Sequence, residues 1–222
     1  MRATTSICTA FMNGAKAVIP VATIEEARAL KEKGYLVAAE RDGKTLDFAD
    51  FGNSPFNFTK ERIHNKIIAY STTNGTKTIR LAEKSHQVLI GAYLNIDAIS
   101  QYLKEDKRDT IIFCAGWKDR FNLEDTLFAG ALSEKLLQSK IFDTNCDSCL
   151  AAVDLWSLAK NDLLSYIGKT AQKKRLQNNG LDDSIEYCHT FNLTNIIPVF
   201  YEDSLIPLNN CEKNNNFLEK GN

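Results

Sequence analysis

Short apolar runs alternate with stretches of helical periodicity along most of the chain. Runs of largely apolar residues predict strands at 17–21, 35–39, 67–70, 87–91, 110–114, 196–200 and 205–208. Apolar residues spaced three and four apart predict helices at 1–13, 24–33, 76–84, 96–105, 123–138, 148–160 and 170–178. Strands that alternate with helices favour an α/β fold with a mostly parallel sheet and helices on both faces.

Turn and capping residues mark several boundaries of these elements. Thr23 and Glu26 form a capping-box pattern at the start of the second helix, and Gly14 is placed to end the first. Pro20 indicates that its strand ends there or lies at an edge. We predict one α/β domain over 1–210, more helical from about residue 147, and a disordered polar tail over 211–222.

The overall charge excludes some partners. The chain has 222 residues and a net charge of -1, which gives no general attraction for nucleic acid or an anionic membrane. No apolar run approaches the roughly 20 residues that a membrane-spanning helix needs, and the first residues lack a signal-peptide pattern. We therefore expect a cytoplasmic protein that acts on small molecules, either alone or as a homo-oligomer.

The segment 67–80 has the strongest functional pattern. A buried strand is followed by the polar turn 71–76, which supplies hydroxyl groups and leads into a helix. The first amide groups of a helix are unpaired and its N-terminus is positive, so a phosphate or carboxylate would bind there. The alternative is a connecting turn in which Asn74 and Gly75 reverse the chain and a threonine caps the helix.

Other polar residues also stand where an anion site would be built. Arg2, Thr4 and Thr5 lie on the first turn of the first helix. Polar groups at 40–41, at Asn95 and at 116–125 each follow a predicted strand, so we expect them to share one edge of the sheet with the turn 71–76. The long aromatic loop 44–59 is expected to be anchored by its phenylalanines, Phe48, Phe51, Phe56 and Phe58.

Two adjacent acids, Glu124 and Asp125, begin the helix 123–138. Beside a phosphate site they would suit Mg²⁺, which binds through one or two carboxylates and keeps several waters. Alternatively they serve only the helix dipole and the cap at Asn122. The sequence alone leaves both interpretations open.

A cysteine mechanism is the competing chemistry. Cys114 and Arg120 are separated by five residues, the spacing that cysteine-dependent phosphatases use to bind phosphate beside a thiolate. Gly116 comes one place early, however, and Trp117 is bulky for an anion-binding loop. A buried strand cysteine is the favoured interpretation of Cys114.

Several short motifs, taken in order, resemble the 2-phosphosulfolactate phosphatase family. They are Arg2-Ala-Thr-Thr5, Glu40-Arg41, Gly52-Asn-Ser-Pro55, Thr72-Thr-Asn-Gly-Thr76, Leu94-Asn95, Cys114-Ala-Gly116, Glu124-Asp125 and Ala129-Gly130. The resemblance implies an α/β fold and a magnesium-dependent hydrolase that removes phosphate from 2-phospho-3-sulfolactate, a step of coenzyme M biosynthesis. Family members carry an apolar strand ending in aspartate before the first motif. Met1 stands at that place here, so we expect the first strand to be missing and the chain to be poorly stable and weakly active.

The residue patterns and the resemblance together assign roles to particular side chains. Catalytic roles are assigned to Arg2, Asn74 and Asp125, and metal binding to Glu124, Asp125 and Glu40. Substrate binding is assigned to Thr4, Thr5, Arg41, Asn53, Ser54, Thr72, Thr73, Gly75, Thr76 and Asn95. Two alternatives remain: a non-catalytic anion-binding or interaction protein descended from such an enzyme, or a phosphatase that depends on Cys114.

Overall fold

A computed structural model describes residues 1–41, 44–72, 74–118, 120–170 and 183–210. The chain divides into two compact units. The strand unit contains residues 2–91 and continues from residue 196, and the helical unit contains residue 1 and residues 92–195. The expectation of one domain over 1–210 stays a prediction.

The strand unit alternates helices and strands as the sequence predicts. Its helices are α1 (Arg2–Met12), α2 (Ile24–Glu32), α3 (Lys60–Ile63) and α4 (Gly75–Ala82). Its strands are β1 (Ala17–Pro20), β2 (Leu36–Arg41), β3 (Lys44–Thr45), β4 (Ile67–Ser71), β5 (Pro198–Tyr201) and β6 (Ser204–Pro207). Thr23 and Glu26 form the predicted capping box of α2.

The six strands form one mixed sheet in the order β3-β2-β4-β1-β6-β5. The three central strands β2, β4 and β1 are parallel, whereas β3, β6 and β5 pair antiparallel with their neighbours. The fold is therefore α/β, but the sheet is not wholly parallel. Ala39 of β2 pairs with Ser71 of β4, so the carboxyl ends of these two strands lie side by side. Polar residues that follow either strand are thereby brought to one edge of the sheet.

Helices cover both faces of this sheet, because alternate strand residues point to opposite sides. On one face, α1 contributes Ile7 and Phe11 to a cluster that includes Ile68 and Tyr70 of β4. On the other face, Ala27 of α2 packs with residues of β1, β2 and β4. The loop after β3 is held by buried Phe51 and Phe58, whose rings meet edge to face.

The helical unit contains the remaining described helices. They are α5 (Ile96–Asp106), α6 (Leu123–Gln138), α7 (Asp147–Ala159), α8 (Leu163–Ile167) and α9 (Ser184–Cys188). Helices α6 and α7 pack closely where a Cβ at Gly130 would overlap the carbonyl oxygen of Ala152. A second core forms around Tyr93, whose ring lies against Phe128, Trp156, His189 and Phe191.

Two strand predictions are wrong. The run 110–114 has no regular structure, and its apolar side chains Ile111 and Phe113 are 90% and 53% exposed. β-branched and aromatic residues favour a strand only where a neighbouring strand can pair with them, and no strand of the sheet pairs with this run. The run 87–91 makes only one isolated bridge, from Leu89 to Val199 of β5.

One further prediction is corrected, and two others fall mostly or wholly on residues that the structure does not describe. Phe56 is less buried than a loop anchor was expected to be, because it is 48% exposed on the short 3₁₀-helix Pro55–Asn57. Most of the predicted helix 170–178 and the whole predicted tail 211–222 lie outside the described residues. Among the residues that the structure describes, no helix is long and apolar enough to cross a membrane.

Candidate active site

The turn between β4 and α4 has the predicted strand-turn-helix geometry. The backbone amide of Gly75 donates to the hydroxyl of Thr72 at 3.1 Å, and the hydroxyl of Thr76 donates to the carbonyl of Thr72 at 3.3 Å. Asn74 occupies the N-cap position, but its side chain does not cap the helix. Thr72 therefore fixes the turn by accepting from the first amide of α4, the kind of contact that the alternative interpretation gave to a threonine.

The N-termini of α1 and α4 lie against each other within the strand unit. A Cβ built on Gly75 would stand 3.3 Å from the Cβ of Ala3 and 3.2 Å from the hydroxyl oxygen of Thr72. Because each helix begins with unpaired amide groups and a positive dipole end, their approach concentrates positive potential at one place. We call this place, with Arg2, Arg41, Asn53 and residues 71–72 and 74–76, the anion site.

Arg2 is the most distinctive side chain of the anion site. Its Nη2 donates to the Oε1 atom of Glu40 at 2.5 Å, and the two side chains are only 9% and 8% exposed. The Nε and Nη1 atoms of Arg2 are also buried, yet they have no hydrogen-bond partner in the described part of the chain. A buried guanidinium with two unused donors is costly unless a ligand accepts from it.

Arg41 and Ser71 join the ends of β2 and β4. The guanidinium of Arg41 donates to the Ser71 hydroxyl at 3.0 Å and to the backbone carbonyl of Glu40 at 2.8 Å. Behind them the buried side chain of Asn53 accepts a hydrogen bond from Tyr70, the last aromatic residue of β4. Of the residues predicted to share one edge, 40–41 and Ser71 therefore meet in the strand unit, whereas Asn95 and 116–125 belong to the helical unit.

The remaining predicted substrate-binding residues of this unit differ in accessibility. Thr5 is fully buried in α1, whereas Thr4 is partly exposed on its first turn. Ser54 precedes the 3₁₀-helix without capping it. Thr73 lies outside the described residues.

The carboxylates predicted to bind metal lie at the start of α6. Asn122 caps this helix by accepting from the amides of Glu124 and Asp125 at 2.9 and 3.2 Å. The side chain of Asp125 does not complete a capping box: it accepts from the amide of Gly116 at 3.0 Å and from the ammonium group of Met1 at 2.7 Å. Glu124 accepts from the hydroxyl of Thr170 at 3.1 Å.

Both carboxylates are buried, at 6% and 7% exposure. We call Glu124 and Asp125, with their partners Met1, Gly116 and Thr170, the carboxylate pocket of the helical unit. Within neither unit do three His, Cys, Asp or Glu side chains, among those described, gather as a ready-made metal cluster. Glu40, the third predicted ligand, has its charge balanced by Arg2 in the strand unit.

Tyr93 and His189 are buried polar residues that the sequence did not single out. The Tyr93 hydroxyl and the Nε2 atom of His189 have no hydrogen-bond partner among the described residues, and the two rings lie 5.4 Å apart. Burial, with the carboxylates of Glu124 and Asp125, raises the pKa of Tyr93. Three scattered histidines and a tyrosine in an apolar stretch carry no local motif, so only the folded structure reveals them.

The last predicted substrate-binding residue, Asn95, has a clear structural contact. It is fully buried, and its side-chain oxygen accepts from the backbone amide of Ala92 at 2.9 Å. This bond closes the turn that opens α5. Asn95 was expected to follow a strand, which is wrong because residues 87–91 form only an isolated bridge. Asn95 does occupy the N-cap position of α5, although its side chain makes no capping hydrogen bond.

The environment of Cys114 opposes a thiolate mechanism. Burial and the nearby Asp125 carboxylate raise the pKa of the Cys114 thiol to about 11. A nucleophilic cysteine needs the opposite shift, because the thiolate is the reactive form. Cys114 is only half-buried and does not lie in a strand, so the favoured interpretation of a buried strand cysteine is wrong.

Fold and site together define an α/β protein with a site for a phosphate or carboxylate group at a strand end. Comparison with known sequences is more specific. Residues 1–203 match the family described as 2-phosphosulpholactate phosphatase, and the chain belongs to this family. The resemblance seen in the short motifs is thereby confirmed.

Curated relatives cover most of the chain. A protein of Thermotoga maritima is 37% identical over 198 residues, which is 89% of this chain and 85% of the relative. A protein of Caldanaerobacter subterraneus is 34% identical over 202 residues, covering 89% and 83% of the two chains. A third, from Symbiobacterium thermophilum, is 34% identical and covers 94% and 91%. Each carries the name "probable 2-phosphosulfolactate phosphatase".

Proposed function

We propose that this protein hydrolyses 2-phospho-3-sulfolactate to 3-sulfolactate and inorganic phosphate. Family membership and the names of the relatives support this reaction. In it, water adds to phosphorus, the bond between phosphorus and the C2 oxygen breaks, and that oxygen takes up a proton to become the hydroxyl group of 3-sulfolactate. We extend the proposal to a cytoplasmic location and to a place in coenzyme M biosynthesis.

The unpartnered donors of Arg2 are the observation that carries the proposal. The substrate is strongly anionic, since it combines a phosphate, a sulfonate and a carboxylate group. A phosphoryl group would accept from Nε and Nη1 of Arg2, two buried nitrogens that have no hydrogen-bond partner among the described residues. Because charge on the phosphoryl oxygens must be stabilised as the ester bond breaks, preorganised donors of this kind contribute directly to the rate.

The other residues of the anion site hold these donors in place. Glu40 fixes the Arg2 guanidinium through a 2.5 Å ion pair, which leaves the other nitrogens available to a ligand. Thr72, Asn74 and Gly75 present the N-terminus of α4, where backbone amides would bind further phosphoryl oxygens. We assign Arg41 to the sulfonate or carboxylate, because its planar guanidinium suits either group.

We assign a magnesium ion to the carboxylate pocket. Glu124 and Asp125 are buried carboxylates, and a cation bound there would replace the Met1 ammonium as a partner of Asp125. Mg²⁺ needs only one or two protein carboxylates because it keeps several waters. When bound, it would act as a Lewis acid that stabilises developing negative charge. Glu40 as a third ligand stays a prediction.

The direct test is release of phosphate from a panel of phosphate esters, including 2-phosphosulfolactate, with Mg²⁺ and with a chelator. We expect release from 2-phosphosulfolactate that is lost on chelation and restored by Mg²⁺. Release that survives the chelator would contradict the magnesium assignment. No release of phosphate from any ester would favour the non-catalytic anion-binding alternative.

A further inference from the structure

Two cysteines lie at the start of α7, in the helical unit, with two residues between them. Cys146 occupies the N-cap position of α7, and Cys149 lies on its first turn. The side chain of an N-cap residue reaches towards the third residue of its helix, which here is Cys149. Cys146 is exposed, whereas Cys149 is half-buried. The two thiols are therefore neighbours that differ in their access to solvent.

The groups around Cys146 favour its charged form. Its sulfur atom lies 3.3 Å from the hydroxyl oxygen of Ser148. The sulfur makes no full capping hydrogen bond, but the backbone amides of Ser148 and Cys149 also stabilise a negative charge on it. The hydroxyl of Ser148 has the largest effect, and together these donors lower the pKa of the Cys146 thiol, although the carboxylate of Asp147 opposes them.

The other described cysteines are in the opposite situation. Burial raises the pKa of Cys8 to about 12, and burial with the carboxylate of Asp125 raises that of Cys114 to about 11. Cys188 is also buried. Among the cysteines that the structure describes, only Cys146 is classed as exposed. Because the thiolate is the nucleophile and must be reached by its reaction partner, Cys146 should react first.

Cys149 is placed to react with a group attached to Cys146. Its sulfur now lies 3.4 Å from the hydroxyl of Ser133 on α6, and rotation about its Cα–Cβ bond would turn it towards Cys146. The amide of Leu150 donates to the carbonyl of Cys146 at 3.0 Å, so Cys146 is already part of the first helical turn. Cα atoms three residues apart in such a turn lie about 5 Å from each other, a separation that a disulfide can span.

We infer that Cys146 and Cys149 form a reversible thiol–disulfide site that reacts with small disulfides. The thiolate of Cys146 attacks one sulfur of the small disulfide, whose S–S bond breaks and releases the first small thiol after it takes up a proton. Cys149 then loses its proton to solvent and attacks the sulfur of Cys146, which releases the second small thiol. The two cysteines lose two electrons, and the small disulfide gains them. This site does not depend on the proposed function.

Reaction of the folded protein with oxidised glutathione, followed by measurement of the intact mass, tests the site. Cys211→Ser is the background for all variants, because Cys211 lies outside the described residues. We expect the final product to have lost the mass of two hydrogen atoms and to carry no glutathione. Peptide mapping should place the bridge between Cys146 and Cys149, and dithiothreitol should restore the reduced mass.

Single substitutions separate the roles of the two cysteines. Cys149→Ser should stop the reaction at a mixed disulfide between Cys146 and glutathione, whereas Cys146→Ser should form neither product. Cys114→Ser is the matched control and should form the bridge at the wild-type rate. Ser148→Ala removes the hydroxyl that stabilises the thiolate, so the first step should become roughly threefold slower.

Three results would overturn the inference. The first is a protein that reacts with oxidised glutathione only after unfolding in urea. The second is a mixed disulfide that persists on Cys146 while Cys149 is present. The third is initial reaction at Cys149 or at another described cysteine. Release of phosphate is measured separately, so failure of the proposed function would leave this test unaffected.

Discussion

The strand unit and the helical unit differ in the sign of their buried charges. They also differ in which buried polar atoms have no hydrogen-bond partner among the described residues. In the strand unit, Arg2 and two helix N-termini are positive, and the unused atoms are the N–H donors of Arg2. In the helical unit, Glu124 and Asp125 are negative, and the buried atoms without a partner among the described residues belong to Tyr93, Ser100 and His189. This difference supports the proposal that the strand unit binds an anion and the helical unit a cation.

Replacing Arg2 should have the largest effect. Arg2→Gln removes both unused donors and the positive charge, so we expect kcat/KM for 2-phosphosulfolactate to fall by roughly 100- to 1,000-fold. The change also leaves Glu40 buried without its partner, which should lower the free energy of unfolding by about 3 kcal/mol. Steady-state phosphate release and urea unfolding measure the two effects.

Two further variants separate activity from stability at Arg2. In Arg2→Gln/Glu40→Gln no buried charge is left unpaired, so stability should recover while activity stays low. Arg80→Gln, a change in a more exposed arginine of α4 that pairs with Asp203, should leave kcat/KM near the wild-type value. Activity close to wild type in the double variant would contradict the role of Arg2.

A substitution that removes a charge from the carboxylate pocket but keeps the size of the side chain should lower activity. Asp125→Asn keeps the size of the side chain but weakens cation binding, so we expect kcat to fall roughly 100-fold. The Mg²⁺ concentration that gives half of the maximal rate should also rise. Asp97→Asn on α5, where the carboxylate pairs with Lys135, is the matched control. An unchanged Mg²⁺ titration curve for Asp125→Asn would remove Asp125 from the metal site.

The sequence predicted most helices of both units and failed where an element or a contact depends on residues distant in sequence. The capping box at Thr23 and the turn from β4 to α4 are specified by residues close in sequence, so both were found. The run 110–114 has the composition of a strand, but a strand depends on a neighbour that local pattern does not reveal. Tyr93 and His189 become neighbours only through tertiary packing, so no local sequence motif predicts that they lie close together.

Replacing Cys114 should have little effect. Because its pKa is raised to about 11 by burial and by Asp125, the thiol is protonated near neutral pH and cannot act as a nucleophile. We expect Cys114→Ser to retain activity within about twofold of the wild type, and alkylation by iodoacetamide to remain slow until the pH approaches that pKa. A hundredfold loss of activity in Cys114→Ser would contradict this expectation and support the cysteine mechanism.

The smallest expected effect concerns the surface of the helical unit. Glu134 accepts from Lys160 at 2.7 Å and from the indole nitrogen of Trp156 at 3.0 Å. The hydrogen bond from Lys160 is the main reason that the pKa of Glu134 lies below its usual value. A depressed pKa contributes stability above the unfolded-state pKa, and this stability is lost as the pH falls through the folded-state pKa.

Thermal unfolding as a function of pH checks this contribution. The wild type should melt slightly above Glu134→Gln at pH 7, and the difference should shrink as the pH is lowered through the range in which Glu134 takes up its proton. Glu105→Gln, which removes the carboxylate that accepts from Gln101 on the exposed face of α5, is the comparison. A difference between wild type and Glu134→Gln that grows on acidification would contradict the assigned contacts.

Binding of inorganic phosphate to the wild type and to Arg2→Lys is the most direct measurement of the anion site. Lysine keeps a positive charge beside Glu40. It lacks the planar guanidinium, so it cannot pair with Glu40 through one nitrogen while two other nitrogens donate to phosphate. Titration calorimetry should show phosphate binding to the wild type and at least tenfold weaker binding to Arg2→Lys, with Arg80→Lys unchanged. Equal affinity of the wild type and Arg2→Lys would contradict the claim that the unpartnered donors of Arg2 bind the phosphoryl group.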